Sequence, residues 1–590
     1  MSIEAWISIA VTGVALALLM VTRLGTDMVL MGALVILSVT GVLTPAEALG
    51  GFSNSGLITV ALMYVIAAGI SHTGGVDLVI DHVLKQPRTT TRALTRLMLP
   101  TIAVSGFINN TPVVAALIPA VVRWARRINM PVSHFLMPLS YAAILGGTLT
   151  MIGTSTNLVT NGQYQKLTGS EGFSMFDITP VGIAVALAGI LYVILLGPRL
   201  LPSRDRVAES FANPREYTVE MAVAEDGPLV GKTIQEAGLR HLGTLYVVEI
   251  VRGDHVVTAV ASEERLQGSD RLVFAGDIRA VLELQRIKGL LPSTEETPLL
   301  SRRAPERRIV EAVISPHSSA IGKTIRECRF RDQYGAVVIA VARNGERIEG
   351  NLASIRLSPA DTLLLEARPA FVHRQQYNRD FLLISDTEEE SPEHPKAWLA
   401  WTILLAIVLI AATGLVDMLQ AAMIGAAAMI ITRCCDAHTA RRSLDMPVIL
   451  SIAASFALGT ALEKTGVAAL LASQLLEFGN GNPWVMLALT YLMVTLLTEI
   501  ITNNSAALLT LPIVLSMTTG GGLNPEPYVI TVMMAASASF ATPIGYQTNL
   551  MVYGPGGYRF SDFVKMGVPL NLLCGVVTVL VVPLIWPLTV

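Results

Sequence analysis

The chain has 590 residues, of which 52% are hydrophobic and only 15% are charged, with a mean hydropathy of +0.56. Soluble proteins carry about 25% charged residues, so this composition excludes an ordinary soluble protein and favours one that is embedded in a membrane. The net charge of −3 gives no support for a nucleic-acid partner, and the four cysteines form no disulfide pattern.

Apolar runs of membrane-spanning length begin near the N-terminus, at residues 5–21 and 28–43. The first run lacks a basic segment before it and a small-residue cleavage site after it, so we expect a retained span and not a signal peptide. A further run covers residues 178–200. These runs predict a polytopic α-helical membrane protein in which residues 1–202 form the first of two membrane repeats.

Polar residues interrupt the apolar pattern of this first half at two places. Residues 105–119 read SGFINNTPVVAALIP, with Asn109, Asn110 and Thr111 in otherwise apolar surroundings. The second interruption, at residues 152–157, reads IGTSTN. Amide and hydroxyl groups at membrane depth are costly unless a partner or a ligand binds them, so both segments are candidates for a binding site.

The middle of the chain is rich in Arg, Glu and Asp and has no apolar run long enough to span a membrane. It repeats itself with an offset of 91 residues, so that the Gly-Lys-Thr-Ile of residues 231–234 recurs at residues 322–325. The same offset relates Arg252 to Arg343 and Asp270 to Asp361. A constant offset over such a distance indicates duplicated modules.

Short β-like runs alternate with helical segments in each module. We therefore predict two small α+β domains, residues 203–300 and residues 301–385. The acidic stretch that follows contains a Ser-Pro dipeptide and is typical of a linker, predicted at residues 386–396. The sequence has no Gly-x-Gly-x-x-Gly segment, so a dinucleotide-binding module is not supported.

The second membrane repeat, residues 397–590, carries the same kinds of polar segment as the first. Residues 499–512 read EIITNNSAALLTLP, and a second interruption at residues 542–549 reads TPIGYQTN. The first asparagine of the double-Asn segment lies 48 residues before the asparagine of the interruption in the first half, and 46 residues before it in the second half. The two halves therefore hold their polar elements at nearly equal spacing.

Basic residues set the expected orientation of the two halves. The segment at residues 94–125 has basic residues on both sides, which predicts a re-entrant hairpin that opens to the cytoplasm. The corresponding hairpin at residues 484–517 has no basic residue in its exit loop and is expected to open to the outside. This arrangement is an inverted-topology repeat in the inner (plasma) membrane, with cytoplasmic inserted domains and extracytoplasmic termini.

The interruptions around residues 153–157 and 542–549 predict broken helices. Glycine and proline in a span free backbone carbonyls, which are oxygen ligands that suit sodium, while the N-termini of half-helices suit an anion. Polar side chains between spans can also simply bond across a helix bundle. Four such segments, paired by sequence and spacing, favour a binding site.

The two double-Asn tips and the two Gly-to-Asn interruptions resemble those of the divalent anion–sodium symporter family, the SLC13-type permeases. That family carries a Ser-Asn-Thr signature at each of two hairpin tips and a Gly-Thr-Pro-Pro-Asn-like break in the following helix. The resemblance covers both membrane halves. The inserted modules resemble paired TrkA-C (RCK C-terminal) domains, as in a bacterial subgroup of these permeases, and residues 553–560 resemble the tail of that subgroup.

The resemblance implies a homodimer with two sodium sites, one at each hairpin tip, and a small divalent anion bound between the tips. The implied sodium ligands are Ser105, Asn109, Asn110 and Gly153 in the first half, and Thr502, Asn504 and Gly545 in the second. The implied substrate-binding residues are Asn110, Thr111, Thr154, Ser155, Asn504, Ser505, Gln547 and Thr548. The resemblance implies sodium as the coupling ion and no cofactor.

Two departures from the family pattern bear on the substrate. The first tip residue is Asn where the family has Ser in both halves, and the Pro-Pro pair is replaced by Ser155-Thr156 and by Gln547-Thr548. In di- and tricarboxylate carriers these positions lie around the substrate carboxylates. Their replacement leaves room for sulfate or another small oxyanion in place of a dicarboxylate.

Glu499 is an ionisable residue in apolar surroundings. It lies four residues before Asn503, the position that Ser105 holds relative to Asn109. An ionisable group in such a place is a functional candidate, which either completes the second cation site or carries a proton for coupling. The alternative is a carboxylate at the mouth of the hairpin that simply reaches water.

These patterns predict a sodium-coupled symporter of a divalent anion that works by alternating access, and not an enzyme. The first alternative is a sodium/proton or oxyanion antiporter, which Glu499 favours, and the second is a gated channel. The TrkA-C-like domains either bind a small-molecule regulator or brace the dimer.

Overall fold

The computed structural model describes the chain from residue 1 to residue 589, apart from residues 23, 76–86, 88, 129, 204–217, 240–244, 253–254, 259, 261–262, 277–283, 285–286, 293–307, 316–317, 344–345, 349–351, 368–370, 372–374, 376–379, 387–395 and 544. The chain divides into two compact units. Residues 1–202, 392–552 and 560–590 form a helical unit, and residues 203–391 with residues 553–559 form an inserted unit.

Nine α-helices are described in the first half of the helical unit. They are α1 (Ile3–Val21), α2 (Thr26–Val39), α3 (Pro45–Leu49), α4 (Ser55–His72), α5 (Thr90–Ser105), α6 (Asn110–Arg127), α7 (Leu136–Gly147), α8 (Ser155–Thr168) and α9 (Thr179–Leu200). A four-residue turn, residues 106–109, joins α5 to α6. Residues 148–154 separate α7 from α8 and form the first break.

Side-chain caps fix where several of these helices begin. Asn54 accepts hydrogen bonds from the backbone N–H groups of Gly56 and Leu57 at the start of α4. Thr44 and Glu47 form a reciprocal capping box around the first turn of α3. Such caps satisfy N–H groups that have no partner inside the helix.

Two five-stranded antiparallel sheets form the inserted unit. Their strands are β1 (Thr218–Val223), β2 (Leu245–Arg252), β3 (His255–Thr258), β4 (Arg271–Gly276), β5 (Leu290–Pro292), β6 (Arg308–Ile314), β7 (Ala336–Arg343), β8 (Glu346–Arg347), β9 (Thr362–Ala367) and β10 (Phe381–Asp386), with a short helix, α10 (Phe330–Tyr334), before β7. The strand orders are β3-β2-β4-β1-β5 and β10-β6-β9-β7-β8. Strand β10 extends one residue into the predicted linker, of which residues 387–395 lie outside the described residues.

One ion pair recurs in both sheets at the positions that repeat in the sequence. The Arg252 guanidinium donates to both oxygens of Asp270 at 2.8 and 2.9 Å, and that of Arg343 to both oxygens of Asp361 at 2.7 and 2.8 Å. Each arginine is the last residue of a strand, β2 or β7. Each aspartate directly precedes the strand that pairs with it, β4 or β9. The carboxylates raise the pKa of both guanidinium groups above the ordinary value, because the charged form is the one they bind.

Ten α-helices are described in the second half of the helical unit. They are α11 (Ala397–Ala412), α12 (Met418–Ile431), α13 (Ala437–Ser443), α14 (Met446–Lys464), α15 (Val467–Phe478), α16 (Pro483–Thr498), α17 (Asn503–Gly521), α18 (Pro525–Ser537), α19 (Gln547–Tyr553) and α20 (Phe560–Ile585). Residues 499–502 join α16 to α17. Residues 538–546 separate α18 from α19 and form the second break.

Helix length and exposed apolar stripes show that the helical unit lies in a membrane. Five described helices, α1, α4, α9, α14 and α20, are long and apolar enough to cross one. On α9 and α20, exposed large apolar residues recur every four residues, so successive members are neighbours on the helix surface and form a stripe that winds slowly around each helix. They are Ile183, Leu187, Leu191 and Leu195 on α9, and Val564, Val568, Leu572, Val576, Leu580 and Leu584 on α20. Such stripes suit contact with lipid, and the protein is a polytopic, mostly helical membrane protein.

Both breaks end earlier in the chain than the sequence predicts. The first break was expected around residues 153–157, but α8 already begins at Ser155 because Thr154 adopts the extended backbone conformation of an N-cap residue. In the second half, α19 begins at Gln547. The residue pairs that replace the prolines of the family pattern therefore lie in the first turn of a helix.

Candidate functional site

The first tip, where α5 turns into α6, is held by one hydroxyl group. Ser105 Oγ donates to the side-chain oxygen of Asn110 at 2.7 Å and lies within hydrogen-bonding distance, 2.9 Å, of the Ala143 carbonyl in α7. Both polar side chains are almost fully buried. A Cβ on Gly147 would meet the Asn110 amide at 2.8 Å, so α7 can approach the tip closely only because position 147 is glycine.

The second tip, where α16 turns into α17, repeats this arrangement. Thr498 Oγ1 donates to the side-chain oxygen of Asn503 at 2.9 Å and lies 3.0 Å from the Ala536 carbonyl in α18. The bonded residues are 5 and 38 positions apart, as at the first tip. Thr498 is therefore the counterpart of Ser105. The spacing in the sequence matches Glu499 with Ser105, which differs by one residue from the match that the hydrogen bonds give.

In each half, the side chain of one asparagine donates hydrogen bonds to two backbone carbonyls in or next to the preceding break. Asn157 Nδ2 donates to the backbone carbonyls ten and seven residues before it, at 3.3 and 3.1 Å. Asn549 Nδ2 donates to the carbonyls at the same separations, at 2.9 and 3.0 Å. These amides satisfy carbonyls that have no helical N–H partner at a break. The two breaks therefore share one internal geometry.

The tip of each half contacts the first turn of the helix that follows the break in the other half. Thr111, the second residue of α6, donates to the side-chain oxygen of Gln547 at 3.1 Å. Asn504, the second residue of α17, accepts from Ser155 and Thr156 at 3.2 and 3.1 Å. Polar segments that lie far apart in the sequence thus meet in the interior of the helical unit.

Tyr546, which the sequence analysis did not single out, connects these two contacts. Asn110 Nδ2 donates to its phenol oxygen at 2.6 Å, and Thr154 Oγ1 lies 3.4 Å from the same oxygen. The feature of the sequence that could have pointed to Tyr546 is its position, where the Gly-Thr-Pro-Pro-Asn pattern has Thr. The connected residues, which we call the polar cluster, are Asn110, Thr111, Thr154, Ser155, Thr156, Asn504, Tyr546 and Gln547.

Four of the residues expected at the site have other partners. Asn109 hydrogen-bonds to a tyrosine hydroxyl of α4. Thr502 and Ser505 hydrogen-bond to each other at 2.8 Å, and Ser505 also accepts from a serine of α14. Thr548 is fully buried against a serine of α7 at 2.8 Å. These side chains tie the tips and the second break to neighbouring helices.

Glu499 follows α16 and lies against the second break. Its Oε1 accepts from the backbone N–H of Ala541 at 3.1 Å and from Asn571 Nδ2 at 2.9 Å. Within the described part of the chain, its Oε2 and Ser539 Oγ are buried and have no hydrogen-bond partner. A Cβ on Gly545 would come within 3.0 Å of Oε2 and would overlap Ser539 Oγ. Both oxygens therefore lie close to the Gly545 backbone, and Oε2 is shielded from solvent.

Three helices begin at the tips and the first break: α6 at Asn110, α8 at Ser155 and α17 at Asn503. Thr154 and Thr502, which precede α8 and α17, make no side-chain cap bond to the first turn. First-turn N–H groups have no partner inside the helix and lie at the positive end of its dipole. The polar cluster therefore combines hydroxyl and amide side chains with backbone groups that attract an anion.

Comparison with known proteins decides the family. The model of the citrate transporter (CitMHS) family matches residues 16–522 and 444–588. The chain belongs to this family. The resemblance to divalent anion–sodium symporters that the tips and breaks suggest is confirmed, and the protein is a transporter and not an enzyme.

Three relatives illustrate the range of similarity. An uncharacterized transporter of Synechocystis sp. is 35% identical over 98% of this chain and 97% of its own. A putative sulfur deprivation response regulator of Chlamydomonas reinhardtii is 35% identical over 94% of this chain and 97% of its own. Sodium/sulfate cotransporter 1 of the same alga is 26% identical over 90% of this chain and 84% of its own.

Proposed function

We propose that this transporter carries a divalent anion, sulfate or a dicarboxylate, together with sodium across the inner membrane by alternating access. The observation that carries the proposal is the polar cluster, in which the tip of each half bonds to the first turn of the helix that follows the break of the other. Hydroxyl and amide donors beside helix N-termini suit an anion. A site shared by two halves can open to either side when the halves move against each other.

The first sodium site of this proposal lies at the first tip. Ser105 and the side-chain oxygen of Asn110 are already in contact there. A Cβ on Gly153 would lie 2.8 Å from the Gly147 carbonyl and 3.0 Å from the Gly106 carbonyl, so three segments of backbone converge beside the tip. Hydroxyl, amide and carbonyl oxygens are the ligands that a hard cation prefers.

The second sodium site follows from the matching bonds of the second tip. Its side-chain ligands are Thr498 and Asn503, in place of the expected Thr502 and Asn504, and the carbonyl of Gly545 stays in the set. Asn504 then belongs to the anion site. Glu499 supports this placement, because a buried carboxylate oxygen beside Gly545 favours a cation in its neighbourhood.

The topology of the proposal is an inverted repeat of two re-entrant hairpins, at residues 94–125 and 484–517, and two broken helices. The equal bond separations at the two tips and the two breaks support it. We further propose a homodimer whose inserted unit is cytoplasmic and consists of two TrkA-C-like domains, which brace the dimer or bind a small-molecule regulator. The repeated arginine–aspartate pair supports a duplication of one module.

The test is uptake by the full-length protein in proteoliposomes. Radiolabelled sulfate and succinate are offered with an inward sodium gradient or with choline in place of sodium. We expect uptake of at least one anion that stops when choline replaces sodium. Protein that is monodisperse and takes up neither anion under any sodium gradient would contradict the proposal.

An antiporter is the second candidate, and the observation in its favour is the buried Oε2 of Glu499, a group that could carry a proton. An outward or inward pH gradient separates the two candidates. Anion or sodium flux that follows the pH gradient and ignores the direction of the sodium gradient would favour the antiporter.

A further inference from the structure

Tyr546 breaks the correspondence between the two halves at the polar cluster. In the first break, Gly153 is followed by Thr154; in the second break, Gly545 is followed by Tyr546. The phenol spans the distance to the other half, where its hydroxyl lies 2.6 Å from Asn110 Nδ2 and 3.4 Å from Thr154 Oγ1. One aromatic side chain of the second break therefore contacts both the first tip and the first break.

We propose that Tyr546 is the specificity-determining residue of the anion site, where it donates a hydrogen bond to a compact oxyanion and leaves no room for a dicarboxylate. This inference rests on the proposed function and adds the substrate class, a tetrahedral dianion of the size of sulfate. Two properties of the phenol carry it: the availability of its proton and the volume of its ring.

The phenol proton is available for a substrate. The Asn110 amide donates to the phenol oxygen and so occupies one of its lone pairs. The distance from the phenol oxygen to Thr154 Oγ1, 3.4 Å, is longer than that of an ordinary O–H···O hydrogen bond. A sulfate-like anion only accepts hydrogen bonds, so it matches an oriented O–H donor. The hydroxyls of Thr111 and Ser155, which here donate to Gln547 and Asn504, become further donors for the remaining oxygens when the substrate replaces those acceptors.

The phenol ring fills space that a longer substrate would need. A dicarboxylate carries two anionic groups separated by a carbon chain, and each needs its own set of donors. Tyr546 stands where the first half has Thr154, so a phenol ring takes the place of a small side chain. Its hydroxyl is bonded to Asn110 at the first tip, and the neighbouring Gln547 is bonded to Thr111 at the same tip. Because the ring adds bulk beside the donors of the first tip, it favours a single compact anion over a longer one with two anionic groups.

The experiment compares three variants of the full-length transporter in proteoliposomes. Tyr546→Phe removes the hydroxyl and keeps the ring. Tyr546→Thr restores the residue found at the matching position of the first half and removes the ring. Tyr192→Phe is the matched control, since its hydroxyl bonds to the Met566 carbonyl in α20. Sodium-driven uptake of labelled sulfate is measured for KM and kcat, with succinate as a competitor and as a second labelled substrate.

We expect Tyr546→Phe to raise the KM for sulfate by roughly ten- to a hundredfold, as for the loss of one hydrogen bond to an anion, while Tyr192→Phe leaves it unchanged. Tyr546→Thr should admit succinate, which the wild type excludes, and this gain of transport cannot come from a folding defect. Equal KM values in both Phe variants, or wild-type uptake of succinate as good as that of sulfate, overturn the inference while the proposed function stands. Wild-type protein that carries neither anion overturns both.

Discussion

Thr111 donates its hydroxyl proton to the side-chain oxygen of Gln547, which lies 436 residues further along the chain, at 3.1 Å. The bond joins the first tip to the helix that follows the second break. The equivalent contact in the other half joins Asn504 of the second tip to the helix that follows the first break. In a transporter whose halves move against each other, we expect bonds to the substrate to replace such bonds when the substrate is bound. Each side chain in these contacts therefore makes a separate prediction.

The cross-half contact predicts that Thr111→Val weakens anion binding. The hydroxyl that now bonds to Gln547 is the donor that would face the substrate, so we expect the KM of anion uptake to rise about tenfold. Gln547→Leu should have an effect that is not additive with it, because the two residues share one bond. Thr510→Val is the control, since that hydroxyl bonds only within α17. Additive effects in the double variant would contradict the shared contact.

The register of the second tip predicts which residue binds sodium. Thr498→Val removes the hydroxyl that matches Ser105 of the first tip, and we expect the sodium concentration for half-maximal uptake to rise about tenfold. Thr502→Val, the position expected from the sequence, should have a smaller effect because its hydroxyl bonds to Ser505. Thr490→Val controls for a threonine in the same helix. A larger effect at position 502 than at 498 would restore the register read from the sequence.

The break geometry predicts a structural role for Asn549. Asn549→Asp keeps the shape of the side chain, removes both N–H donors and places negative oxygens against two backbone carbonyls. We expect a loss of about 2–4 kcal/mol in stability, seen as a lower thermal unfolding temperature in detergent, together with loss of uptake. Asn482→Asp changes an exposed amide and keeps the oxygen that caps α16, so it should leave both unchanged. Unfolding of both variants at the same temperature would argue against the role.

The place of Glu499 beside Gly545 leads us to expect that its substitution changes the sodium or pH dependence of uptake. Glu499→Gln keeps the bonds that Oε1 makes and removes the charge, so we expect the sodium concentration for half-maximal uptake to rise about tenfold or more if the carboxylate stands beside a cation. Uptake that becomes independent of pH, with its sodium dependence intact, would instead assign the carboxylate to a proton. Glu463→Gln is the control, because Glu463 is an exposed carboxylate of α14. A variant with wild-type sodium and pH dependence would remove Glu499 from the coupling site.

Most residues of the polar cluster could be predicted from the sequence. Polar residues in apolar spans need partners, which singled out the four polar segments. The family resemblance then implied six of the members: Asn110, Thr111, Thr154, Ser155, Asn504 and Gln547. Tyr546 was missed because a tyrosine in an apolar context is usually part of the packing, and only its neighbours in space show that its hydroxyl enters the cluster.

The register of the second tip shows why its hydrogen bonds could not be predicted. The sequence aligns Asn109-Asn110 with Asn503-Asn504, whereas the hydrogen bonds match Asn110 with Asn503. A shift of one residue turns a side chain by about 100° around a helix, so the two alignments place different asparagines at the position of Asn110. The Thr498–Asn503 bond selects one alignment, and that bond exists only because α16, α17 and α18 pack together.

What the sequence by itself determined is therefore the membrane class, the two halves, the duplicated insert and the four polar segments. These follow from composition, run length and spacing, which are properties of the chain before it folds. What only the tertiary structure decided is the partner of each polar group: the crossed contacts between tips and breaks, the place of Glu499 beside Gly545, and the entry of Tyr546 into the cluster. Hydrogen bonds between distant segments depend on helix rotation and helix packing, and neither is written in local sequence.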